Sequence, residues 1–73
     1  MSLRQVFAAN LRRVRHVRGF PQEDLAHTAD VDRTYLSRME RSASNVGIDI
    51  IAKLAHVLKV ERAELLKAVA SKS

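Results

Sequence analysis

The stretch Gln22–Arg41, QEDLAHTADVDRTYLSRMER, decides the fold of this chain. Its apolar residues fall at helical spacing in two short groups, and Asp30 and Val31 between them leave room only for a tight turn. Asp32 is a residue type that caps helix N-termini, and we expect its carboxylate to accept backbone N–H groups near Tyr35. The stretch therefore predicts two short helices joined by a tight turn.

Apolar residues at spacings of three and four predict further helices on both sides of this stretch. The first helix carries the stripe Leu3, Phe7, Leu11 and Val14 and ends at Gly19, the fourth carries Ile48, Ile51, Leu54, Ala55 and Leu58, and the fifth spans Ala63–Val69. No stretch alternates as a half-buried strand would. The sequence therefore predicts an all-α fold of five helices, in a single domain over residues 1–73.

The composition fits one small helical domain. A chain of 73 residues can bury only a small core, and the absence of cysteine excludes a disulfide framework. The net charge of +5 favours a polyanionic partner, although charge also serves solubility. No apolar run reaches the ~20 residues that span a bilayer, and the first residues lack the pattern of a signal peptide. We expect a cytoplasmic protein without a membrane partner.

Catalytic and metal-binding patterns find no support in the sequence. The three histidines, His16, His27 and His56, lie eleven and twenty-nine residues apart, so no two share a helix face at ligand spacing. Zinc-protease motifs, glycine-rich phosphate loops and nucleophile elbows are missing from the sequence. We therefore expect neither an enzyme nor a bound metal or cofactor.

The pattern as a whole resembles the lambda-repressor-like, Cro/cI-type helix-turn-helix family, often called XRE, over nearly the whole chain. The matching positions are Gln22, Leu25, Ala26, Val31, Asp32, Thr34, Leu36, Ser37, Met39 and Glu40, and downstream Ile51, Leu54, Ala55, Leu58 and Val60. The resemblance implies a five-helix, lambda-repressor-like fold and a transcriptional regulator that binds specific sequences of double-stranded DNA. The run DRTYLSRMER followed by Asn45 is also similar to the controller proteins of restriction–modification systems, in a pattern that many bacterial regulators share.

The third helix holds the candidate base readers. A recognition helix enters the major groove with its N-terminal residues toward the base edges. The exposed early positions here are Arg33 and Thr34, with Arg38 one turn further on and Ser37 beside them. Arginine matches guanine O6 and N7 bidentately, and threonine can hydrogen-bond a base edge or touch the thymine methyl group. Isolated arginines usually form a solvated face, and Ser37 has the alternative role of filling space beside the backbone.

Four residues are candidates for contacts with DNA phosphates: Gln22, Tyr35, Arg41 and Asn45. Gln22 begins the second helix, where its amide and the helix N-terminus both offer donors, and the resemblance implies this same role. For Tyr35 the alternative is to cover the edge of the core. For Asn45 the alternative is to cap the loop.

The first helix is rich in arginine. Residues 1–20 contain five arginines and no acidic residue. The resemblance implies that Arg15 forms a partly buried structural ion pair with Glu40, which would tie the first helix to the third. The remaining arginines near the end of the helix, Arg12, Arg13 and Arg18, are possible phosphate contacts at the rim.

Asp30 departs from the family pattern, because it replaces a turn glycine whose φ is usually positive. Pro21 and the pair Val46-Gly47 also stand where the family usually has capping residues. We expect losses of local stabilisation at these places and an unchanged fold.

We expect the protein to bind a pseudo-palindromic operator as a homodimer, since two recognition helices about 34 Å apart read successive major grooves. Candidate interface residues are Ile50, Val57, Leu66 and Val69, and the alternative for some of them is a place in the core. The alternative function is that of an antitoxin or adaptor that acts mainly by binding another protein.

Overall fold

Five helices form the secondary structure of the described part of the chain. The computed structural model describes residues 3–41 and 46–67. Its helices are α1 (Leu3–Val17), α2 (Gln22–Ala29), α3 (Arg33–Glu40), α4 (Ile48–Leu58) and α5 (Arg62–Leu66). These ranges contain no strand, so the predicted all-α, five-helix fold is confirmed. The fifth helix begins one residue earlier than predicted and ends at Leu66, before the predicted Val69, because Lys67 is extended. Val69 itself lies outside the described ranges.

All five helices contribute to one apolar core. Its members are Phe7, Leu11 and Val14 from α1, Leu25, Ala26 and Ala29 from α2, Leu36 and Met39 from α3, Ile51, Leu54, Ala55 and Leu58 from α4, and Leu65 from α5. Helix α1 packs against α3 and α5, while α2 packs against α3 and α4. Each helix of the predicted helix-turn-helix thus packs against a helix outside the motif, α3 against α1 and α2 against α4.

The predicted apolar stripes are wrong at their first residues. Leu3 is 65% exposed and Ile48 is 73% exposed. Each is the first residue of its helix, and helical side chains point back toward the N-terminus, so each of these side chains points past the start of its helix.

Three helices end in the left-handed conformation, at Gly19 (φ 73°), Asp30 (φ 57°) and Lys59 (φ 60°). In each case the next amide returns to a carbonyl of the last helical turn: Phe20 to Arg15 (3.0 Å), Val31 to Ala26 (2.8 Å) and Val60 to Ala55 (3.0 Å). This pattern satisfies carbonyls that a helix end leaves without partners. The positive φ expected at Asp30 is present, and Lys59 adopts one that the sequence did not indicate.

The turn between α2 and α3 is followed at once by the cap of α3. The Asp32 carboxylate accepts the Thr34 N–H at 2.8 Å, next to Tyr35, which confirms the predicted cap. The left-handed backbone at Asp30 thus ends α2, and the side-chain cap of Asp32 begins α3 two residues later.

Asn10 is a buried polar residue on the core side of α1. Its Nδ2 donates to the carbonyls of Leu65 (3.1 Å) and Lys67 (2.8 Å), and its Oδ1 accepts from Arg13 at 3.2 Å. The two carbonyls lie at the end of α5, which has only five residues. Asn10 therefore fixes the last helix to the first.

We predict that Lys59→Gly stabilises the fold by about 1 kcal/mol, because glycine adopts a positive φ without the penalty that a Cβ incurs. Asp30→Gly should gain less, since aspartate tolerates this conformation better than lysine. The measurement is the free energy of unfolding in urea. Lys53→Gly, at an exposed position inside α4, is the control and should lose about 1 kcal/mol. A loss of stability in Lys59→Gly would contradict the assignment.

Candidate nucleic-acid interface

The outer surface of α3 brings together the four predicted base readers. Arg33 and Ser37 are four residues apart, as are Thr34 and Arg38, so they lie on adjacent rows of one helix surface. Arg33, Thr34 and Arg38 are exposed, and Ser37 is half-buried. The Asp32 cap fixes the helix start from which the first two side chains project.

An open recess of about 220 Å³ lies between this surface and the start of α2. Gln22, Arg33, Thr34 and Ser37 line it. The recess thus combines a guanidinium, two hydroxyls and an amide, all of which form hydrogen bonds with base edges or phosphate oxygens. Gln22, a predicted phosphate contact, thus lies beside three of the predicted base readers in the recess.

The exposed charge along α3 is positive. Arg33, Arg38 and Arg41 are all exposed between residues 33 and 41, whereas the only acidic residue of that range, Glu40, is buried. Arg38 and Arg41 continue the surface beyond the recess. A polyanion that approaches α3 therefore meets three guanidinium groups and no exposed carboxylate of that segment.

The other predicted phosphate contacts have different surroundings. Tyr35 is half-buried and packs against the core, as its alternative role requires. Asn45 lies outside the described residues. The rim arginines each bond within the protein: Arg12 to the Glu40 carbonyl, Arg13 to Asn10, and Arg18 to the Lys59 carbonyl at 3.3 Å.

A buried ion pair joins α1 to the end of α3. Arg15 Nε lies 2.6 Å from Glu40 Oε2, and Arg15 Nη2 lies 3.0 Å from Glu40 Oε1. Glu40 is 3% exposed and Arg15 is 8% exposed. Arg15 Nη1 also donates to the Phe20 carbonyl at 2.9 Å. The two charges are thus paired bidentately, and the arginine also ties down the segment that leads into α2.

Gln22 belongs to the same buried network. Its Nε2 donates to Glu40 Oε1 at 3.0 Å. The sequence predicts a phosphate contact for Gln22 and a structural role for Glu40, and the bond between them was not predicted. No local pattern could have revealed this bond, because the two residues are 18 positions apart on different helices. Glu40 therefore connects the scaffold directly to the recess.

We predict that Arg15→Met lowers the free energy of unfolding by ~3–5 kcal/mol, because it leaves the buried Glu40 carboxylate without its counter-charge. Arg15→Met combined with Glu40→Leu should recover much of that loss, since an apolar pair of similar volume removes the unpaired charge. Urea unfolding of the wild type and the two variants measures both effects. Equal stability of Arg15→Met and the wild type would contradict the role of the pair.

The described ranges hold no group of three or more His, Cys, Asp or Glu side chains placed to share a metal ion. No helix within those ranges has the length and apolar character needed to cross a membrane.

Known sequences related to this chain include transcription factors and restriction–modification proteins. The HTH_3 helix-turn-helix family matches residues 11–65. A hypothetical transcription factor from Neisseria meningitidis is 42% identical over 64 residues, which are 88% of this chain and 60% of that protein's length. The control protein C.BamHI from Bacillus amyloliquefaciens is 36% identical over 66 residues, which are 89% of this chain and 82% of that protein.

Solved structures agree with the sequence comparisons. The hypothetical transcription factor NHTF from Neisseria has a TM-score of 0.88 and 40% identity, covering 92% of this chain and 77% of that one. The restriction–modification controller protein C.AhdI from Aeromonas hydrophila has a TM-score of 0.82 and 39% identity, covering 85% of this chain and 94% of that one. The similarity to controller proteins predicted from residues 32–45 is confirmed.

Proposed function

This chain belongs to the helix-turn-helix family HTH_3, and from that membership we propose that α3 is a recognition helix that lies in the major groove of double-stranded DNA. The function is that of a DNA-binding transcriptional regulator, as in the similar transcription factor and controller proteins. The observation that carries the proposal is the exposed face of α3. It gathers Arg33, Thr34, Ser37 and Arg38 at a surface with no exposed carboxylate from that helix.

The proposed base readers differ in the chemical groups that they offer to the bases. Arg33 is the first residue of α3, and its guanidinium can reach guanine O6 and N7 as a bidentate donor. Thr34 and Ser37, which line the same recess, offer hydroxyls to base edges, and Thr34 adds a methyl group for thymine. Arg38 lies one turn further along and extends the reading surface to neighbouring bases.

Phosphate contacts would hold α3 in register. Gln22 is the first residue of α2, and Pro21 before it provides no side-chain cap for the amides of that turn. An anion is favoured at such an uncapped N-terminus. Glu23 and Asp24 are exposed in the same turn, so the phosphate must approach from the side of the recess. Arg41 follows α3 and is a second proposed contact.

Tyr35 and Asn45 remain weaker proposals for backbone contacts. Tyr35 sits on α3 with part of its side chain exposed, which leaves room for a contact beside its packing role. Asn45 is proposed from the sequence alone.

The oligomeric state proposed is a homodimer on a pseudo-palindromic operator. Ile50 and Val57 lie seven residues apart on the same flank of α4, and both are half-buried. Leu66 on α5 is half-buried as well. All three also pack against the core of their own chain, and only their exposed parts are proposed to meet a second copy. Two copies would present two α3 helices to successive turns of the duplex.

The antitoxin or adaptor alternative is not favoured. The related proteins described above carry the names of transcription factors and restriction–modification controllers. Those names, together with the cationic face of α3, favour DNA as the main partner.

We predict that Arg33→Ala weakens binding to the preferred sequence by about 1–3 kcal/mol and relaxes selectivity at one base position. The measurement is a selection from randomised duplex DNA, followed by affinities for the selected and a scrambled site. Arg62→Ala, which removes an exposed arginine from the start of α5, is the matched control and should keep the wild-type preference. An unchanged preferred sequence in Arg33→Ala would show that Arg33 does not read a base.

We predict that Val57→Glu shifts the protein from dimer to monomer, because a carboxylate at an apolar interface loses its hydration. The mass in solution should fall from about twice 8.2 kDa toward 8.2 kDa. Val17→Glu, at an exposed valine on α1, is the matched control and should leave the mass unchanged. A monomeric wild type would contradict the proposed dimer.

A further inference from the structure

The side-chain amide of Gln22 lies between a buried carboxylate and an open recess. Its Nε2 donates to Glu40 Oε1 at 3.0 Å, and the residue lines the recess together with Arg33, Thr34 and Ser37. Gln22 is therefore held from inside the protein while part of it faces outward. Its half-buried state agrees with this position.

The chemistry of the contact fixes the orientation of the amide. A carboxylate accepts hydrogen bonds and donates none, so Glu40 can receive an N–H of Gln22 but cannot pair with its carbonyl oxygen. A flipped amide would place two acceptors against each other. Because Glu40 is buried, that arrangement would be repulsive without screening by water. One orientation of the Gln22 amide is thus selected.

Glu40 itself cannot move to accommodate the other orientation. Arg15 binds both of its carboxylate oxygens, and Arg12 donates to its backbone carbonyl. These partners come from α1, so α1 holds the end of α3 against which Gln22 rests. The acceptor that orients Gln22 is immobilised by two other side chains.

We propose that Glu40 is a positioning residue for DNA binding, which locks the Gln22 amide with its nitrogen toward α3 and its second N–H available to a phosphate oxygen. This inference rests on the proposed function, since it concerns how the same recess binds DNA. A side chain already ordered in the free protein loses less freedom on binding. The buried ion pair thereby contributes to affinity as well as to the fold.

A double-mutant cycle with Gln22→Ala and Glu40→Gln tests the proposal. Glutamine at position 40 keeps the shape and a hydrogen bond to Gln22, but it can either donate or accept, so it no longer selects one amide orientation. We expect Glu40→Gln to weaken binding to the duplex selected by the wild type by up to about tenfold. In the Gln22→Ala background the same change should have no further effect.

Glu40→Gln also removes the counter-charge of Arg15, so two further measurements separate positioning from folding. The double variant Arg15→Met with Glu40→Gln has no unpaired Arg15 charge. It should lose as much affinity for the selected duplex as Glu40→Gln alone. In the free wild type, NMR should show one Gln22 Hε2 proton protected from exchange with water, and this protection should fall in Glu40→Gln.

Each outcome decides a separate point. A wild type that selects no sequence overturns the proposed function. A wild type that binds a selected duplex, with effects of Gln22→Ala and Glu40→Gln that simply add, overturns the positioning role and leaves the proposed function intact. An unprotected Gln22 amide in the wild type also overturns the positioning role.

Discussion

Glu40 is the residue on which the arrangement of α1, α2 and α3 depends. Its carboxylate accepts hydrogen bonds from Arg15 on α1 and from Gln22 at the start of α2. Its backbone carbonyl accepts one from Arg12. A buried charge is tolerated only with partners of this kind, so the three helices must keep one relative position for the carboxylate to remain satisfied. Apolar packing alone constrains them less, because dispersion and burial have little directionality. The network thus specifies where α3 stands relative to α2.

The position of the proposed reading surface follows from that constraint and from the turn before α3. Asp30 ends α2 in the left-handed conformation, and Asp32 caps α3 by accepting the Thr34 N–H. The first turn of α3 therefore starts at a fixed place beside Gln22. Arg33 and Thr34, in that first turn, line the same recess as Gln22.

The sequence predicted the features that have a local or periodic cause. Helical spacing located the core residues such as Leu11 and Leu54, and the residue type of Asp32 located the cap. It did not show that Lys59 has a positive φ, because lysine carries no preference for that conformation. Asn10 lies on the periodic apolar face of α1, three residues after Phe7 and four before Val14, so periodicity could have identified it as buried.

The contacts of the arginines could not be predicted in the same way, since long flexible side chains reach partners distant in sequence. Arg12, Arg13 and Arg18 are candidate phosphate contacts, and the sequence did not show that each also bonds within the protein. The most direct test of the central claim is an NMR titration with a selected duplex, followed at every backbone and side-chain amide. Contact through α3 predicts the largest shifts at residues 33–38 and at the Gln22 side chain. Large shifts confined to α1 or α5, with α3 unaffected, would contradict it.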